Sequence, residues 1–66
     1  MAAVEQLEFT IEEWDDEDQH IVEVLARVAN ALPAIAAYER FRERRPKRII
    51  RLRHGARIVR DSTRPG

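Results

Sequence analysis

Arg48-Ile-Ile-Arg-Leu-Arg-His-Gly-Ala-Arg-Ile-Val-Arg60 decides how the chain folds. Apolar and basic residues alternate on both sides of Gly55, the pattern of two half-buried strands joined by a tight turn. A loop of Arg53, His54 and Gly55 puts Gly55 in the left-handed conformation it tolerates best. Leu52 then faces Ala56 and Ile50 faces Ile58, giving an inner apolar surface. The outer surface places Arg51 opposite Arg57 and Ile49 opposite Val59. Other loop lengths slip arginine into the apolar surface, so the pattern selects this register.

Upstream, Leu7-Glu-Phe-Thr-Ile-Glu12 alternates with period two, with Leu7, Phe9 and Ile11 pointing one way. This predicts a first strand. Asp15-Asp16-Glu17-Asp18-Gln19 reads as a helix start, with Asp15 or Asp16 as cap and Asp16 with Gln19 forming a capping box. Ile21, Leu25, Val28, Leu32 and Ile35 then recur at helical steps, and Tyr38 and Phe41 extend the stripe until Arg42-Glu43-Arg44-Arg45 and Pro46 end it. Pro33 interrupts the span. It predicts a kink in one long helix, or two helices meeting with Pro33 in the first turn of the second.

The expected architecture is α+β, β-α-β-β: one long helix, kinked at Pro33, on a three-stranded antiparallel sheet of order 1-3-2. Residues 1–60 form a single small domain and 61–66 a disordered tail. Sixty-six residues bury a small core, only about 60% of the unfolded surface. There is no cysteine to brace it. An oligomer is the remaining source of support.

Residues 1–26 carry nine acids and no Lys or Arg, whereas residues 27–66 carry all twelve cations and three acids, so the formal net charge is zero. The favoured reading is that the halves neutralise each other on folding, Glu8 and Glu12 lying one strand from the hairpin arginines. The competing reading is a nucleic-acid-binding surface of Arg48, Arg51, Arg53, Arg57 and Arg60, since a two-stranded ribbon fits a major groove. Trp14, Ile49 and Val59 fall among charges on the outer sheet face. An apolar island beside arginines resembles the centre of a protein interface, here between two copies of the chain.

Other function classes find little here. No Gly-rich phosphate loop is present, and no His or Lys is spaced to activate Ser62, Thr63 or Thr10, so no enzyme, cofactor or small-molecule substrate is expected. Asp16, His20 and Glu23 share a helical face, but a surface histidine paired with acids explains them without a metal. No apolar run approaches the ~20 residues of a membrane span, and Met1 to Glu5 lack the basic and apolar regions of a signal peptide, which points to the cytoplasm.

The hairpin after Tyr38–Arg45 and Pro46, together with Glu13-Trp14-Asp15 and Val22-Glu-Val-Leu-Ala26, resembles short uncharacterised bacterial proteins. That resemblance implies a small bacterial cytoplasmic protein without a known activity. The expectation from the whole sequence is a non-catalytic interaction module that self-associates through its outer sheet face.

Overall fold

The computed structural model describes residues 8–17 and 19–64. Leu7, expected on the inner sheet face, and Asp18, expected in a helix start, lie outside them. The elements run β1 (Phe9–Trp14), β2 (Ile21–Val28), α1 (Ala31–Arg44), β3 (Ile49–His54) and β4 (Arg57–Asp61). The α+β class holds, but the sheet has four antiparallel strands in the order β2-β1-β3-β4 rather than three in the order 1-3-2.

The largest correction is at residues 21–28, which form a strand and not the first half of a helix. Ile21, Val22, Val24 and Val28 are β-branched, and their stiff side chains suit a pleated surface better than a helix. β2 pairs with β1 through two irregularities, where Ile11 faces Ala26 but Glu12 faces Val24, and Glu13 faces Glu23 but Trp14 faces Ile21. Leu25 and Val22 are the extra residues of these bulges. Each bulge resets the alternation, so the apolar residues imitate helical spacing. The acids that resemble a helix cap close the β1–β2 loop instead. Asp15 Oδ1 accepts the backbone N–H of Gln19 at 2.7 Å and of His20 at 3.2 Å, and Asp15 N–H donates to the His20 carbonyl at 2.9 Å.

The helix begins at Ala31 after Asn30, and its first backbone bond runs from Ala34 N–H to the Asn30 carbonyl at 3.1 Å. Pro33 sits in the first turn, where an N–H has no intrahelical partner, so its ring costs nothing and produces no kink. Because β2 reverses the chain before the helix, β3 arrives antiparallel to β1 and lies beside it. β4 is thereby left at the sheet edge instead of the middle.

The helix packs against β1, β2 and β3. Ile11, Ala34, Tyr38, Ile50 and Leu52 are buried, with Phe9, Leu25, Ile35, Phe41 and Val59 packed around them. Leu32, expected in the stripe, is 80% exposed. No helix among the described residues is long and apolar enough to cross a membrane.

The hairpin loop is two residues, Gly55 and Ala56, with Gly55 at φ 64° as anticipated. His54 pairs with Arg57 and Arg53 with Ile58. A bulge then shifts the pairing so that Leu52 faces Arg60 and Arg51 faces Asp61. The two-residue loop, by setting Ile58 opposite Arg53, moves Ile58 from the inner surface to the outer one and lets Val59 pack on the core. The domain also extends past residue 60. Asp61 ends β4, Ser62 N–H donates to the Ile50 carbonyl at 3.0 Å, and Ser62 Oγ accepts the Ile50 N–H at 2.9 Å.

Candidate functional site

Residues paired across neighbouring strands point to the same side of a sheet. Ile11, Leu52 and Ile50 face the helix. Thr10, Glu12 and Trp14 of β1 therefore face away from it, with Arg27, Val24 and Ile21 of β2, Ile49, Arg51 and Arg53 of β3, and Ile58 and Asp61 of β4. No element among the described residues covers this face.

Trp14 and Ile49 are cross-strand partners, so two of the three residues expected to form an apolar island meet as anticipated. Val59 does not join them, because the two-residue hairpin loop turns it toward the core. Ile21 and Val24 of β2 extend the patch, whereas Ile58, 49% exposed, lies on the same face at its far end, opposite Arg53. The sequence contained one clue to this register. Arg51 directly opposite Arg57 is a repulsive arrangement, and the observed register relieves it, the bulge beside Leu52 bringing Asp61 opposite Arg51.

The polar residues of the face form a closed network. Glu12, 2% exposed, accepts from Arg53 Nη2 at 2.7 Å, Arg53 Nε at 2.9 Å, Trp14 Nε1 at 3.1 Å and Thr10 Oγ1 at 3.1 Å. The Arg51 guanidinium lies 4.9 Å from the Trp14 ring centre and donates through Nε to Asp61 Oδ2 at 2.9 Å. This short pair is nearly sealed from water, both side chains being 8% exposed. Trp14 is thus held by a bond to Glu12 and by a cation on its ring, a rigid aromatic platform rather than a loose surface side chain.

These contacts also bear on the nucleic-acid reading. Arg48 bonds Glu13 at 2.5 Å and reaches Asp16 at 3.4 Å, Arg51 is held by Asp61, and Arg53 by Glu12. Three of the five hairpin arginines expected to meet phosphate are therefore held by carboxylates of the same chain. Arg57 is exposed at the turn, and Arg60 Nη1 donates to the Val59 carbonyl at 3.0 Å. His54 leaves the turn for the end of β3 and stacks on Phe9 at a ring separation of 4.0 Å. His20 lies in the β1–β2 loop and Glu23 on β2, so the helical face that would join them to Asp16 does not exist. No group of three or more potential metal ligands occurs among the described residues.

Two acids tie the charge network to pH. Burial alone would raise the Glu13 carboxyl, but hydrogen bonds and charge from Arg45 and Arg48 outweigh it and hold the group below its ordinary 4.5. Burial likewise opposes ionisation of Asp61, but bonds from Thr63 and Arg51 bring it below 3.8. A carboxyl whose folded value is depressed contributes stability that is complete above its unfolded value and is lost as pH falls through the folded one. The thermal midpoint is expected to be flat above about pH 5.5 and to drop steadily below about pH 4.5. Asp61→Asn should flatten that drop. A midpoint that rises on acidification contradicts both assignments.

The chain matches no family model, and no curated protein or solved structure matches it.

Proposed function

We propose that the protein is a non-catalytic interaction module whose partner is a second copy of itself, docked through the open sheet face. The observation that carries this reading is the composition of that face. Trp14, Ile49, Ile21, Val24 and Ile58 surround charges that are already satisfied within the chain. A face whose charges are internally paired offers little to a strongly charged partner. An apolar patch with internally paired charges suits contact with its own copy across a two-fold axis, the commonest arrangement of oligomers. The interior supplies a second reason. Only five apolar residues are buried among the described residues, so covering a further apolar layer adds substantially to stability.

The non-catalytic part of the proposal rests on side chains that are otherwise occupied. Ser62 Oγ accepts a backbone N–H and Thr63 Oγ1 donates to Asp61 at 2.6 Å, with no histidine or lysine in either contact.

Sedimentation from about 1 to 100 μM is expected to show a monomer–dimer equilibrium, with a melting midpoint that rises with concentration. Ile21→Glu places a charge beside Trp14 in the apolar patch and should weaken dimerisation at least about tenfold. Leu32→Glu, on the helix side, should leave it unchanged. A wild-type monomer at 100 μM, or equal behaviour of the two variants, removes the proposal.

A further inference from the structure

We infer a second site, at the margin of the open sheet face: a cleft between the second half of α1 and the turn after β4 that binds the phosphate group of a ligand. The cleft has two adjoining lobes of about 390 and 310 Å³, which share Arg42, Ser62 and Thr63 as walls. Tyr38, Arg60 and Arg64 line the larger lobe, and Lys47 and Arg48 the smaller. Two acids, Glu39 and Asp61, also line the larger lobe, and both are committed. Glu39 Oε1 accepts Arg42 Nε at 3.2 Å and Nη2 at 3.1 Å, while Asp61 accepts from Arg51 and Thr63. Arg60, Arg64 and Lys47 have no carboxylate partner among the described residues, so the cleft carries surplus positive charge.

Tyr38 gives an independent indication. It is 3% exposed, yet its hydroxyl makes no hydrogen bond to a described residue. No side-chain polar atom sealed from solvent is left without a partner among the described residues. The hydroxyl is therefore not sealed, and the cleft that Tyr38 lines is its opening. A buried tyrosine with an uncommitted O–H beside surplus guanidinium groups is a donor set for an oxyanion, and arginine matches the geometry of phosphate oxygens. The wall is rigid, because Ser62 is bonded twice to Ile50 and Arg64 N–H donates to the Asp61 carbonyl at 3.0 Å.

The probes are pyrophosphate and a single-stranded oligonucleotide, titrated at low salt into the full chain with backbone amide shifts and calorimetry as readouts. Pyrophosphate is expected to shift the amides of Tyr38, Arg42 and Thr63. Arg60→Ala/Arg64→Ala should weaken binding by about tenfold or more, and Tyr38→Phe, which keeps the ring in the core, by about fivefold. Arg40→Ala/Arg44→Ala removes the same charge from exposed helix positions outside the cleft and should change affinity less than about twofold. Oligonucleotide binding that is lost with the cleft variants identifies a nucleic-acid backbone as the source of the phosphate. Binding of pyrophosphate alone identifies a small phosphorylated ligand. Absence of binding by either probe, or equal losses from the cleft and Arg40/Arg44 variants, overturns the site.

Discussion

Replacing Glu12 by alanine should cost about 3 kcal/mol, the low end for breaking a buried ion pair because Arg53 remains 30% exposed and regains some water. Trp14 Nε1 and Thr10 Oγ1 lose their acceptor in the same step. A 66-residue chain has in all about 3–10 kcal/mol of stability, so the substitution should remove from about a third to all of it. Glu12→Gln keeps the volume and one acceptor oxygen, and should lose only about 1–2 kcal/mol. Urea titration followed by circular dichroism measures both. An alanine variant within about 0.5 kcal/mol of wild type would show that the network contributes nothing beyond its solvation cost.

Leu52 and Leu32, both expected in the core from the sequence, give the other large contrast. Leu52 is fully buried between sheet and helix, and truncation to alanine should cost about 2–5 kcal/mol through lost contacts and the cavity left behind. Leu32→Ala, at an 80% exposed position, should change stability by less than about 0.5 kcal/mol. A stripe running unbroken from Ile21 to Ile35 would instead make both substitutions severe. The same denaturation experiment separates the two arrangements.

What the sequence disclosed follows from how regular each segment is. β1, the Gly55 turn and the end of the helix at Arg45-Pro46 obey simple local rules and were legible. β2 was not, because two bulges convert a period of two into a spacing that a helix also produces. The hairpin register failed because the loop is Gly55-Ala56 rather than Arg53-His54-Gly55, which exchanges the faces of Ile58 and Val59; the bulge beside Leu52 then sets Asp61 opposite Arg51. At the open face, Trp14 and Ile49 were legible because they lie on unbulged stretches of β1 and β3. The self-neutralising division of charge was also legible, though its partners were not. Arg53 reaches Glu12, Arg48 reaches Glu13, and Arg51 turns to Asp61, choices set by register and not by composition. The phosphate cleft was invisible, since Tyr38, Arg42, Arg60 and Arg64 are joined only by the way the helix lies beside the β4 exit.

The central position of β1 has a temporal consequence. Its neighbour on one side is made soon after it, but the neighbour on the other begins at Ile49, and the Arg53–Glu12 contact spans 41 residues of chain. During synthesis, the first two strands must wait with Ile11 uncovered until β3 has left the ribosome. Nascent fragments that stop short of Arg53 should be captured by chaperones or degraded, and refolding should be slow for so short a chain, because distant segments must find each other before any contact rewards the search.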